Sequence, residues 1–429
     1  MNITILNEET KNEFKEVLAN RSTNKMVEQE KIVSDIIFNV RTNGDKALFE
    51  YTKKFDGFDL NSQNIKVTDK EIEDAVNDVS EEFLRVLEVS ANNIKKFHEK
   101  QKRLSWIDTD ENGVILGQKF SPIEIVGVYV PGGKAAYPSS LLMNVVTAKV
   151  AGVPKIIMCT PAGKDGKVNS CTLAAAKIAG VDEIYKVGGA QAIAAMAYGT
   201  ESIPRTYKIC GPGNIFVALA KKAVYGQVSI DSVAGPSEIL VISDETTNPR
   251  YAAADLLSQA EHDEMASAVM ITTSKDVAQK TLEEINKFTE VLDRKEIILK
   301  SLENYGNIFV ADNMDAALEA ANEIASEHVE ILTRNPFEVM TKVKNAGAIF
   351  LGDYSSEPLG DYYAGPNHIL PTNGTAKFFS PLNVDDFVKK TSIINYSYEA
   401  LKEAHEDIEY FAKHEGLTAH ANSIHVRFE

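Results

Sequence analysis

The sequence predicts an α/β protein built from two incomplete, doubly wound parallel-sheet modules, with small helical segments at both ends. Two observations carry this. From residue 122 onward, short β-type apolar runs alternate with Ala-rich helical runs, the rhythm of parallel βαβ units. A 44% hydrophobic composition over 429 residues is enough to bury the core that two or three domains need.

Taken in order, residues 1–25 read as an N-terminal helical segment. Residues 26–121 are highly charged with helical periodicity, broken by turns at Asn43-Gly44 and Asp56-Gly57. The first βα series fills 122–236: strands EIVGVYV, VPKIIMCTP, VDEIYKVGG and TYKICGPGN alternate with helices SCTLAAAKIAG, AQAIAAMAYG and NIFVALAKKAVYG. The second fills 237–380. Its strands are SEILVISDE, SAVMITT, NIFVAD, VEILT and AIFLGD, and its helices include DAALEAANEIASE. Residues 26–121 are expected to pack with 237–380 as one domain, leaving 122–236 as the other. Residues 381–429 form a tail with a terminal helix, too small to fold alone and expected to dock in cis or on a second subunit.

A net charge of -17 and a pI near 5.1 argue against nucleic acid or an anionic membrane surface as partner, because both need a basic face. No run approaches the ~20 apolar residues of a membrane span, and the N-terminus has no apolar core of a secretory signal. Cys159, Cys171 and Cys210 are an odd number without a C-x-x-C pair. The expectation is a cytoplasmic protein whose metal, if any, uses N and O ligands.

Five polar clusters interrupt the scaffold. Gln259 and His262, in LLSQAEHD, stand i, i+3 on one helical face, where an amide oxygen and a neutral imidazole suit a borderline divalent metal. Ser237 lies in the turn GPSE, and Glu327-His328 sit where a helix hands over to VEILT, offering two bases at one junction. The loop LGDYYAGPNH fixes Asp361, Tyr362 and His368, and HEGLTAH carries Glu415 and His420 past the terminal helix. Taken singly, a solvated helix end explains Gln259-His262, a simple turn Ser237, a cationic helix cap Glu327-His328 and a solvated tail Glu415-His420, whereas the Gly- and Pro-shaped loop around Asp361 and His368 is more than stability alone needs. Three glycine turns follow strands of the first series: Pro131-Gly132-Gly133, Gly188-Gly189 and Gly211-Pro212-Gly213. They imply an extended ligand along that sheet edge. Gly211-x-Gly213 opens a helix whose amides could face phosphate, and Asp231 lies 20 residues on, as a ribose-binding acid would. Phe216 holds the third glycine position, so the dinucleotide fingerprint is partial.

Together, VYVPGGKAAYPSSLLMN, KVGGAQAIAAMAYGT, ICGPGNIFVALAKK, AGPSEILVI, LLSQAEHD, SEHVEIL, DYYAGPNHILPT and HEGLTAHANSI resemble the histidinol dehydrogenases, in order and over nearly the whole chain. Asn373 and Lys377 depart from the usual pattern, at positions with no proposed role. The resemblance implies two Rossmann-like modules and oxidation of L-histidinol through L-histidinaldehyde to L-histidine with two NAD. It implies one zinc ion per subunit, held by Gln259, His262, Asp361 and His420, and a homodimer in which the C-terminal tail completes the partner's site. Glu327 and His328 would be catalytic. Cofactor contacts would fall on Tyr129, Gln191 and Asn214, and substrate contacts on Ser237, Gln259, His262, His328, Asp361, Tyr362, His368, Glu415 and His420. The competing readings are an NAD-dependent dehydrogenase of another polar alcohol, such as a sulfonated diol, a zinc hydrolase using Glu327, and a non-catalytic binding protein.

Overall fold

The computed structural model describes residues 1–21, 27–110, 112–132, 137–233 and 235–429. Gly133 of the first glycine turn and the expected boundary at residue 25/26 lie outside the described residues. Two parallel sheets organise the chain. The first has five strands, in the order Glu183–Tyr185, Lys155–Cys159, Ile125–Tyr129, Lys208–Cys210, Ser229–Ile230. The second has six, in the order Asn2–Ile5, Gly306–Val310, Ser267–Thr272, Glu238–Ser243, His328–Leu332, Ala348–Leu351. Strands such as Ser267–Thr272 are buried at every residue, which is why they read as continuous apolar runs.

Three features differ from the sequence reading. Asn2–Ile5 is a strand, paired in parallel with Gly306–Val310, so the N-terminal segment is not wholly helical. Its β-branched Ile3-Thr4-Ile5 carried that signal. Trp106–Thr109, Ile115–Pro122 and Val388–Asn395 form a small antiparallel sheet, tying the tail to the chain in cis. Finally, the helices of the 26–121 region cover the five-stranded sheet and not the six-stranded one. Val27–Phe55 packs on Gly189–Tyr198 and Ile215–Val224, burying Val33, Ile36 and Val40 against Ile193 and Val217. Asp69–Asp78 and Glu81–Glu99 cover the opposite face through Ala75, Leu87 and Ile94. Without them both faces of the five-stranded sheet would be short of apolar cover. Gly44, at φ +54°, breaks the long helix where the Asn43-Gly44 turn is expected.

The six-stranded sheet has its own cover: Pro249–Ala260, Lys275–Thr289 and Lys295–Tyr305 on one face, Glu8–Arg21 and Met314–Ile324 on the other. Past Tyr398–His414 a second helix, Thr418–His425, packs back on the first through Ala421.

Candidate active site

Each sheet reverses strand order once, and each reversal holds a cluster of site residues. In the five-stranded sheet the switch lies between Ile125–Tyr129 and Lys208–Cys210. Outside its carboxyl edge opens a cleft of about 1260 Å³, lined by Tyr129, Gly132, Gly189, Gln191, Gly213 and Asn214 among others. Ligands of open α/β sheets collect at this position. The Tyr129 hydroxyl accepts the Gly189 N–H at 3.0 Å, and burial pushes its pKa up to about 12. Asn214 N-caps the helix Ile215–Val224, its Oδ1 accepting from Phe216 N and Val217 N, which leaves its amide NH2 to the cleft.

Asp231 is not a ribose acid. It is buried against Lys221, with its Oδ2 accepting the Gly211 N–H at 2.8 Å. The 20-residue spacing here belongs to an internal brace.

In the six-stranded sheet the switch lies between Glu238–Ser243 and His328–Leu332, and the site forms at the amino edge. His328 opens its strand and is 3% exposed. Its Nδ1 lies 3.0 Å from the carbonyl oxygen of Glu238, so the N–H donates there and Nε2 keeps its lone pair. Burial drives its pKa down to about 4, so the ring is neutral near pH 7. Glu327 Oε2 accepts the Glu238 N–H at 3.0 Å, and burial holds this carboxyl well above its usual range. One residue, Glu238, therefore orients both with its backbone, and Ser237 precedes it directly in the chain.

Asp361 comes from the π-helical turn Gly360–Ala364, held by Ser90 Oγ donating to Tyr362 O at 2.7 Å and Asn93 Nδ2 donating to Tyr363 O at 2.9 Å. The Asp361 carboxyl stands 3.9 Å from His328 Nε2. His368 is fixed at both nitrogens: Nδ1 donates to Asp361 O (3.1 Å) and Nε2 accepts from Ser140 Oγ (3.2 Å). Burial lowers its pKa to about 4 as well. His328, Asp361 and His368 line a cavity of about 400 Å³. Tyr362 is largely exposed.

The sequence reading missed Glu357. It is buried, its Oε2 accepts from Ser258 Oγ at 3.0 Å, and with His328 and Asp361 it places three ligand atoms within 4.8 Å of one another. Burial, reinforced by Asp361, lifts its pKa to about 8, and burial lifts Asp361 to about 6. Its only sequence signal was a carboxylate four residues before Asp361.

The donor set fits a divalent cation. Gln259 is fully buried, and its Oε1 has no hydrogen-bond partner while its Nε2 lies 3.4 Å from His328 Nδ1. The carboxyls of Glu357 and Asp361, both raised by burial, stand close enough to His328 to share one cation, whose charge would favour their ionised forms. His262 is exposed, lines the glycine-turn cleft, and is close enough to influence the titration of His328 and Glu357. Glu415 and His420 are not brought to this cluster within one chain. They line a separate groove with Phe411 and Leu417.

With this arrangement in view, comparison with known proteins is decisive. A family model described as histidinol dehydrogenase matches residues 19–428. The chain belongs to the histidinol dehydrogenase family. A histidinol dehydrogenase of Clostridium acetobutylicum is 59% identical over 93% of this chain and 92% of its own length. Another, from Caldanaerobacter subterraneus subsp. tengcongensis, is 57% identical over 96% and 95%. The solved histidinol dehydrogenase of Elizabethkingia anophelis superposes with a TM-score of 0.94, at 38% identity over 100% of this chain and 98% of that one. As a histidinol dehydrogenase family member the chain is an oxidoreductase with the two-module α/β fold. Among the described residues no helix is long and apolar enough to cross a membrane.

Proposed function

We propose that this protein oxidises L-histidinol through L-histidinaldehyde to L-histidine, passing two hydrides in succession to NAD, with one zinc ion per subunit in a cytoplasmic homodimer. The observation that carries the reading is His328: neutral, buried, anchored through Nδ1, with Nε2 unpartnered in a cavity it shares with Asp361 and His368.

Tyr129, Gln191 and Asn214 would contact the dinucleotide in the cleft. Gln259, His262, Asp361 and the partner subunit's His420 would hold the zinc, which supplies a Lewis-acidic anchor for the imidazole and amino nitrogens of the substrate. Ser237, Tyr362, His368 and Glu415 complete the substrate's surroundings. His328 accepts the hydroxyl proton at Nε2 as hydride leaves the carbon for the nicotinamide, giving aldehyde. Glu327 then takes a proton from the water that adds to the aldehyde carbon. His328 returns its proton to the oxygen anion so formed, then accepts the hydrate's hydroxyl proton as the second hydride departs, and the resulting acid ionises to the carboxylate. Holding the aldehyde at the site between steps would avoid release of a reactive intermediate.

The shared site is supported by what one chain leaves exposed. Phe411 is 66% exposed beside Glu415 and His420, an apolar face that a second copy would cover.

The test is substrate choice. Zinc-loaded protein should reduce NAD with histidinol and not with a sulfonated diol. Activity on the diol alone would overturn the assignment.

A further inference from the structure

We propose that the buried Lys221–Asp231 pair is a positioning clamp for the dinucleotide loop, setting affinity for NAD without touching it. The proposal rests on reading the glycine-turn cleft as the NAD site.

Lys221 lies on the helix Ile215–Val224, and Asp231 follows the strand Ser229–Ile230. Their side chains are 3% exposed and form an ion pair. Both reach the same residue from opposite sides. Lys221 Nζ donates to the Gly211 carbonyl at 2.9 Å, and the Gly211 N–H donates to Asp231 Oδ2 at 2.8 Å. Asp231 Oδ1 also accepts the Ser232 N–H at 2.8 Å. Every backbone polar group of Gly211 is thus held by a charged side chain.

Gly211 also sits where only glycine fits. Its φ is +117°, and a Cβ there would collide with the Tyr129 carbonyl oxygen. The next three residues, Pro212, Gly213 and Asn214, form the wall of the cleft, and Tyr129 lines it from the neighbouring strand. Fixing Gly211 therefore fixes the approach of two loops to the cofactor at once.

Stability is a poor explanation for the pair. Both side chains are almost wholly withdrawn from solvent, and an ion pair so buried seldom outperforms apolar side chains of similar volume. What apolar residues could not do is hold both the N–H and the carbonyl of one loop residue. Asp231 has both oxygens engaged, Oδ1 by Lys221 and the Ser232 N–H and Oδ2 by the Gly211 N–H, so it serves the loop and not a ribose.

The test is the double variant Lys221→Met/Asp231→Asn, which removes both charges, keeps similar volumes and leaves one acceptor for Gly211. NADH binding is measured by fluorescence titration, alongside melting temperature and steady-state constants. Loss of one anchoring hydrogen bond predicts a roughly 10-fold weaker Kd for NADH and a matching rise in KM for NAD. The KM for histidinol and kcat at saturating NAD should stay within about twofold, the split expected when only cofactor binding changes. A lowered melting temperature with an unchanged NADH Kd would overturn the clamp and leave the pair merely structural. So would no change in either. Should the double variant fail to fold, Lys221→Met alone carries the same test, because it removes the hydrogen bond to the Gly211 carbonyl, with a weaker NADH Kd supporting the clamp and an unchanged one rejecting it. Wild-type protein that bound no NADH would overturn the cleft assignment itself, and the clamp with it.

Discussion

Replacing Glu327 by Gln should separate the two oxidations. The amide has the same volume, and its oxygen can still accept the Glu238 N–H that Glu327 accepts at 3.0 Å. With shape and backbone contact both kept, the fold should persist. His328 should also keep its place, because its Nδ1 proton goes to the Glu238 carbonyl and the Glu327 carboxylate stands off at 3.7 Å. Alcohol oxidation should therefore fall by no more than about tenfold, whereas loss of the base that activates water should slow aldehyde oxidation by about 10²- to 10⁴-fold. That is about 3–5 kcal/mol of transition-state stabilisation. Single-turnover stopped-flow with enzyme in excess over histidinol would show one fast NADH and one slow NADH. Histidinaldehyde supplied directly would isolate the slow step. Equal losses in both steps, or no loss in either, would refute the role given to Glu327.

Mixing a His262→Ala chain with a His420→Ala chain should restore activity, since some heterodimers carry one intact shared site; no recovery would place all ligands within one chain. Gly365→Ala should lower the melting temperature by several degrees and weaken zinc affinity. At φ +108° its Cβ would lie 2.6 Å from the Asn93 carbonyl oxygen, a strain of about 1–3 kcal/mol at the turn that presents Asp361. Unchanged zinc affinity would show that this turn does not position a ligand. Glu183→Gln tests the electrostatics of the five-stranded sheet. Burial works to raise this carboxyl, but hydrogen bonds from Lys155, Lys66 and Tyr185 outweigh it and hold the pKa at about 2. Such a group stabilises the fold above its ordinary range and loses that contribution as pH falls toward 2. The stability gap between wild type and variant, about 1 kcal/mol at pH 7 after solvent screening, should shrink as pH falls below about 4.5. A gap independent of pH would contradict this.

The sequence made the βα rhythm legible because strands buried on both faces are continuous apolar runs, and the glycine turns legible because the backbone demands them. It placed Gln259, His262, Glu327, His328, Asp361 and His368 near one another only through family resemblance, since the separation of about 100 residues is closed by the sheet and not by any local pattern. Glu357 escaped because a carboxylate on a short helical turn looks solvated until the packing around Ser258 buries it. Asp231 misled for the opposite reason: its spacing matched a ribose acid, and only the fold reveals that Lys221 has claimed it. The antiparallel sheet joins Ile115–Pro122 to Val388–Asn395, a pairing with too long a sequence separation for local propensity to suggest. The helices of residues 27–99 are amphipathic in any reading, but which sheet they cover depends on tertiary packing.

The stoichiometry of NADH to histidinol tests the two-step oxidation most directly. With zinc-loaded protein, limiting L-histidinol and excess NAD, the central claim predicts two NADH formed per histidinol consumed, with L-histidine as the product. One NADH with aldehyde accumulating, or no NADH at all, would contradict it.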